Sequence, residues 1–246
     1  MELQGKVAWI TGGARMGLEI SRALASRGCR IVLGFRHSRK PALETISALK
    51  AMGADAFDIR CDTTREKDVY TAVRAIQQHA RKLDILINLS SAYEIAPIGK
   101  DRGGRLWNEH LDANAKSAYW LTLAAAPVMR KQGAGRIIHF SDWTSASGRP
   151  HYPDYAPYYV SKGAVKALVE AMALAWAPEV LVNAIAPGPI LPPPGLSRKD
   201  YQAVIRSTPL RRWGGPAEIA KTVVFLAETD FITGETLRVD GGRHLN

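Results

Sequence analysis

Val7-Ala8-Trp9-Ile10-Thr11-Gly12-Gly13-Ala14-Arg15-Met16-Gly17-Leu18 is the stretch whose reading decides the fold. A short apolar run, strand-like in content, leads into glycines. Residues 18–27 follow, with Ile20, Leu24 and Ala25 at helical spacing. Glycines between a strand and a helix permit a tight turn and a close backbone approach. The unpaired amides at the helix start then attract a pyrophosphate. Gly12, Met16 and Gly17 are therefore candidate cofactor-contacting positions. Alone, such a turn is a modest signal; as the first β-α junction of an alternating chain it carries more weight.

That alternation extends to the end of the chain. Arg30–Phe35, 54–61, 85–89, 136–140, 181–185 and Thr236–Val239 read as further strands. Helical stretches at 41–52, 66–79, 108–132, 158–177 and 217–228 lie between or before them. Repeated β-α units call for a parallel sheet covered by helices on both faces. The expected fold class is thus α/β, a single doubly wound parallel sheet, with residues 1–246 forming one domain. Ligands of such sheets bind beyond the carboxyl ends of the strands, near the switch in strand order. Residues 187–209, rich in Pro and Gly, read as a substrate loop or lid. The helix after Tyr158 is apolar nearly all round, through Val160, Val165, Leu168, Val169, Met172 and Leu174. It must be covered on more than one side, either deep in the monomer or at a subunit interface.

Composition narrows the function classes. With 246 residues, 46% hydrophobic and 23% charged, the chain can bury a sizeable core and disorder is not expected. Cys29 and Cys61 make no disulfide framework and lack metal-ligand spacing, so a reducing, cytoplasmic setting and no metal site are expected. The start shows no basic region followed by an apolar one, and no apolar run is long enough to span a bilayer. Neither a signal peptide nor a membrane partner is expected. The net charge of +10 is spread along the chain rather than gathered on a nucleic-acid-reading module, so no nucleic-acid partner is expected.

One basic knot has a sharper reading. At the end of the second strand stands Gly34-Phe35-Arg36-His37-Ser38-Arg39-Lys40, with no carboxylate before Glu44. A protein reading NAD places an acidic residue there against the ribose 2′-hydroxyl. A carboxylate would repel the extra phosphate of NADP, whereas guanidinium pairs with it well. Arg36 and His37, with Arg15 in the glycine turn as a further candidate, point to NADP(H) as the cofactor.

The reacting group is sought in Tyr158-Tyr159-Val160-Ser161-Lys162. Residues four apart share a helix face, so Tyr158 and Lys162 can enter one cleft, and Pro157 suits a first helical turn. A neighbouring ammonium is expected to favour the phenol's ionised form. Tyr155 and Tyr159 do not stand four residues before a lysine.

Taken together these pieces resemble the short-chain dehydrogenase/reductase family over practically the whole chain. The matching residues are Thr11-Gly12 with Gly17, Asp62 after the third strand, and Asp84-Ile85-Leu86-Ile87-Asn88. They continue with Asn114, the Tyr158/Lys162 pair, Asn183-Ala184-Ile185-Ala186-Pro187-Gly188, and Gly234 with Val239-Asp240-Gly241-Gly242. The resemblance implies a Rossmann fold and hydride transfer between a nicotinamide and the carbonyl or alcohol of a small molecule. It implies Tyr158 as acid/base, and Lys162 as holder of the nicotinamide ribose and tuner of Tyr158. Asn114 would support a water relay, Asp62 would contact the adenine, Asn88 would line the cofactor groove, and Pro187 and Gly188 would flank the nicotinamide. A homotetramer is the assembly it implies.

Three departures from the family pattern bear on the substrate. Met16 stands near the usual middle glycine in a turn one residue short. Asn88-Leu89-Ser90-Ser91 replaces Asn-Asn-Ala-Gly, and Asp142 in Ser141-Asp142-Trp143 stands where a serine is expected. The first and third resemble the pteridine-reductase-like branch, which reduces pterin or folate rings. Ser145, thirteen residues before Tyr158, is the rival for the serine position. The leading expectation is an NADPH-dependent reductase of a small C=O or C=N substrate. A 3-oxoacyl-carrier-protein reductase or general carbonyl reductase is the alternative, and a non-catalytic dinucleotide sensor is the alternative of another class.

Overall fold

The computed structural model describes residues 1–12, 16–37 and 39–246. Seven strands form one sheet: β1 (Val7–Thr11), β2 (Arg30–Phe35), β3 (Ala56–Arg60), β4 (Ile85–Asn88), β5 (Gly135–Phe140), β6 (Val180–Pro187) and β7 (Thr236–Val239). All neighbours pair in parallel, in the order β3-β2-β1-β4-β5-β6-β7. The order reverses between β1 and β4, so their carboxyl ends open the crevice where an α/β sheet binds its ligand.

The helices are α1 (Gly17–Ala25), α2 (Arg39–Ala51), α3 (Glu66–Ala80), α4 (Arg105–His110), α5 (Ser117–Lys131), α6 (Trp143–Ser147), α7 (Ala156–Trp176), α8 (Arg198–Arg206) and α9 (Pro216–Glu228). Side chains alternate across the sheet, as a strand's period of two requires. Ala8 and Ile10 of β1 enter one core with Ile20, Leu24, Leu49, Ile219 and Val223 from α1, α2 and α9. Val7 and Trp9 enter the other with Val69, Ile76, Leu121, Val165 and Val169 from α3, α5 and α7. Both faces being covered explains why the central strands are buried at nearly every residue.

Several helical elements differ from their sequence reading, among them α6, which follows β5 where no helix was expected. The helix expected over 108–132 is α4 and α5 joined by a π-helical turn, Leu111–Lys116. Such a turn adds one residue without interrupting the helix, so apolar periodicity does not reveal it. Within the irregular stretch 187–209, α8 forms behind Ser197, whose hydroxyl accepts from the Asp200 amide at 3.1 Å. Finally, α7 buries Ser161, Lys162, Val165, Val169 and Ala173, yet Val160 and Leu174 remain exposed. Its apolar circumference is therefore not all buried within one chain.

A chain of buried hydrogen bonds crosses the sheet at the switch point. Thr11 Oγ1 donates to Asn88 Oδ1 at 2.9 Å, and Asn88 Nδ2 lies 3.3 Å from His139 Nδ1. His139 Nε2 lies 2.8 Å from Thr122 Oγ1, which donates to Ala118 O at 2.9 Å. The threonine proton is thus engaged, so Nε2 carries the imidazole proton and Nδ1 accepts from Asn88. Burial, with Lys162 adding to it, pushes the His139 pKa down to about 3. The neutral ring is what the fold accommodates.

The consequence for stability has a definite sign. An unfolded histidine titrates near 6.5, so below that pH the unfolded chain binds a proton that the folded chain refuses. Stability contributed by neutral His139 is fully present above ~6.5 and is lost as pH falls towards 3. Urea unfolding at pH 7 and pH 5 should show a loss of about 2 kcal/mol from this residue. His139→Asn should remove that part of the pH dependence whatever its own stability; an unchanged pH slope would contradict the assignment.

Candidate active site

Beyond the carboxyl end of β5, Asp142 caps α6: its Oδ1 accepts from the Thr144 amide at 2.8 Å and from Thr144 Oγ1 at 2.5 Å. Its other oxygen, Oδ2, accepts from Tyr158 Oη at 3.2 Å. Two serines fasten this turn to α7. Ser141 Oγ donates to Lys162 O at 2.8 Å, and Ser145 Oγ donates to Tyr159 O at 2.9 Å. Ser145 is thereby turned to the α7 backbone, and Asp142 is the residue of the two that meets the Tyr158 hydroxyl.

One turn along α7, Lys162 is buried, with Nζ donating to Phe140 O at 2.8 Å and lying 5.8 Å from the centre of the Tyr158 ring. Burial pushes its pKa down to about 8, against the pull of Asp142. Burial likewise raises the Asp142 carboxyl, although Thr144, Lys162 and Tyr158 all favour its charge. Tyr158 is held well above 10, first by burial and then by Asp142. The net shift therefore runs against the phenolate that the ammonium was expected to favour. Desolvation and a carboxylate in hydrogen-bond contact outweigh an ammonium engaged by a backbone carbonyl. At neutral pH Tyr158 is a phenol with a proton to give.

Asn114, on the π-helical turn, reaches the loop after β4. Its Oδ1 accepts from Ala92 N at 2.9 Å, while Nδ2 donates to Ala92 O at 3.1 Å and to Ser161 Oγ at 2.8 Å. Its side chain clamps that loop beside α7 and, among the described residues, forms no hydrogen bond with Lys162. The clamped loop brings in Tyr93, which sequence reasoning missed. Tyr93 meets Tyr158 edge-on at 4.8 Å and stacks on Tyr155 at 4.7 Å, with Tyr152 at 6.0 Å from Tyr155. An isolated tyrosine in an irregular loop carries no periodic signal, and Tyr155 gains its place here only through this packing.

The other half of the crevice follows the glycine turn. Gly12 has φ +71, and a Cβ there would lie 2.6 Å from Ser90 N. Only glycine lets the turns after β1 and β4 approach so closely. Met16 precedes α1 without a side-chain cap, and Gly17 is buried at the helix start. Arg15 lies outside the described residues. Asn88 is 2% exposed and is held by Thr11, Ser90 and His139, so it braces the crevice from beneath rather than lining it. Pro187 ends β6 opposite Val239, and a Cβ on Gly188 would collide with Asp240 at 2.5 Å.

At the ends of β2 and β3 two adjoining basins open, of about 510 and 150 Å³. Arg36, His37 and Arg60 line both. Asp62 accepts from Thr64, lies 3.0 Å from Arg36 Nε and 3.9 Å from Arg65 Nε. Burial works to raise its carboxyl, but Thr64 and the two guanidiniums hold it below the usual range. An uncapped helix start, a close-packed glycine turn and a cationic basin form a donor set that fits a phosphorylated dinucleotide.

Known proteins share this architecture. A family model described as enoyl-(acyl carrier protein) reductase matches residues 13–244. The chain is 34% identical to the short-chain reductase protein NovJ of Streptomyces niveus, over 98% of this chain and 94% of that protein. It is 29% identical to the 3-oxoacyl-(acyl-carrier-protein) reductase FabG of Staphylococcus aureus, over 98% of each. The NADPH-dependent 3-quinuclidinone reductase from Rhodotorula rubra superposes with a TM-score of 0.91 at 27% identity, covering 100% of this chain and 93% of that one. Among the described residues, no helix is long and apolar enough to cross a membrane.

Proposed function

The chain belongs to the short-chain dehydrogenase/reductase family of oxidoreductases, and from that premise we propose that it is an NADP(H)-dependent reductase of a flat, cyclic C=O or C=N substrate. The observation that carries this reading is the contact of Tyr158 with Asp142 beside buried Lys162. Whole-length similarity to reductases argues against the non-catalytic sensor.

When bound, the reduced nicotinamide supplies the hydride. The chain's residues do the rest. The α1 start and the glycine turn would hold the pyrophosphate, Arg36 and His37 the 2′-phosphate, and Asp62 the adenine. Pro187 and Gly188 would flank the nicotinamide, and residues 187–209 would cover the site. Tyr158 turns its hydroxyl from Asp142 to the substrate oxygen or nitrogen and donates its proton there. Lys162, a buried cation close to the ring, stabilises the phenolate left behind. Asn114 keeps the Tyr93 loop seated against α7.

Asp142 takes the place of a hydroxyl donor. Raised by burial, its carboxyl can hold a proton and donate it, or accept from a ring N–H when ionised; a serine does not offer that choice of charge. Together with the Tyr93–Tyr155 stack, this favours a planar, nitrogen-containing ring such as a pterin over an open-chain ketone. A second reading, reduction of a 3-oxoacyl group on a carrier protein, is supported by the similarity to FabG and by the net charge of +10. Buried, unpaired Cys29 and Cys61 suit a cytoplasmic setting. The apolar residues that α7 leaves exposed support a homotetramer.

Tyr158→Phe should fold and bind cofactor normally while turnover falls ~10²–10⁴-fold. Near-normal turnover would remove Tyr158 from the reaction. Asp142→Ser should lower the ratio of kcat/KM for a dihydropterin to that for a diketone. An unchanged ratio means that Asp142 does not select the substrate, and a 3-oxoacyl thioester outperforming both favours the second reading. Light scattering at micromolar concentration should give the mass of four chains; a monomer would exclude the assembly.

A further inference from the structure

The basin at the ends of β2 and β3 holds more arginine than the sequence motif at residues 36–40 accounts for. Arg36, Arg39, Arg60 and Arg65 line its two parts, against Asp58, Asp62 and Asp68. Most of these charges are already matched. Arg36 and Arg65 face Asp62 at 3.0 and 3.9 Å, and Arg39 faces Asp58 at 3.6 Å. Arg60 differs. It closes β3, is exposed, and makes no ion pair or side-chain hydrogen bond among the described residues.

Its position follows from strand register. Arg60 pairs with Phe35, so its Cα lies beside the last residue of β2 and next to Arg36. The Cys61 amide donates to Phe35 O at 2.8 Å and locks that register where the strands end. Arg60 shares with Arg36 and His37 the lining of both basins. An anion entering here meets Arg36 partly neutralised by Asp62, whereas the Arg60 guanidinium keeps its whole charge and all its donors.

We propose that Arg60, a residue outside the glycine turn and the β2 end, is a specificity-determining ligand of the 2′-phosphate and acts together with Arg36. This inference rests on the reading of the chain as NADP(H)-dependent. Phosphate between the two guanidiniums gains charge-assisted bonds from two strands, and Arg36 exchanges part of its contact with Asp62 for the anion. NADH, lacking that phosphate, gains nothing from Arg60.

The test is a binding titration of the purified full-length protein, read by nucleotide fluorescence for NADPH and NADH. Competition by adenosine 2′,5′-bisphosphate and by AMP isolates the phosphate. A charge-assisted bond is strong, but an exposed one is screened, so Arg60→Gln should weaken NADPH and the bisphosphate by ~5–10-fold. NADH and AMP should stay within about twofold, which also reports an intact fold. Arg60→Lys should recover part of the loss, because the charge returns without the planar fork. If the unaltered protein prefers NADPH and Arg60→Gln keeps that preference, this inference fails and the NADP(H) reading stands. If the unaltered protein binds NADPH and NADH equally, both fail.

Discussion

A run of buried polar side chains that satisfy one another crosses the three parallel strands at the centre of the sheet. At the switch point Thr11, Asn88, His139 and Thr122 form one directed chain from β1 through β4 and β5 to α5. A buried polar group left unpaired costs more than its hydrogen bond returns, so the chain tolerates little change at any link. It also sets the register of the three strand ends that carry the glycine turn, the loop bearing Tyr93 and the turn bearing Asp142. Both halves of the crevice hang from the same buried contact.

Above that contact the crevice separates two electrostatic regimes. At the β2 and β3 ends, solvent-facing guanidiniums outnumber carboxylates, and charges are held by mutual pairing in a screened setting. At the β5 end, Asp142, Tyr158 and Lys162 stand close together, and desolvation is the largest influence on each of them. The same desolvation keeps the phenol protonated, raises the carboxyl and lowers the lysine. All three shifts favour the uncharged form, which keeps the proton on Tyr158 until a substrate receives it.

Much of this was legible in the residues. The bounds of β1, β2 and β7 follow from apolar runs ending at turn residues, and the parallel sheet follows from their alternation with helices. The Tyr158/Lys162 pair is legible because four residues make roughly one helical turn. Asp142 was visible as an oddity at a strand end, although its spacing left Ser145 as a rival. In the folded chain Ser145 Oγ donates to Tyr159 O, while Asp142 accepts from Tyr158. The π-helical turn, the Tyr93 contact and the bracing role of Asn88 had no periodic signature.

The order of strands and helices, the glycine turn and the cationic stretch after β2 were determined by the sequence alone, because each rests on neighbours along the chain. Local sterics, periodicity and adjacent charge suffice for them. Tertiary structure decided what depends on residues distant in sequence. It set Arg60 beside Arg36 through strand register and Tyr93 against Tyr158 through the Asn114 clamp. It also decided the protonation of Tyr158, because desolvation is a property of everything packed around a group and is written in no single stretch of sequence.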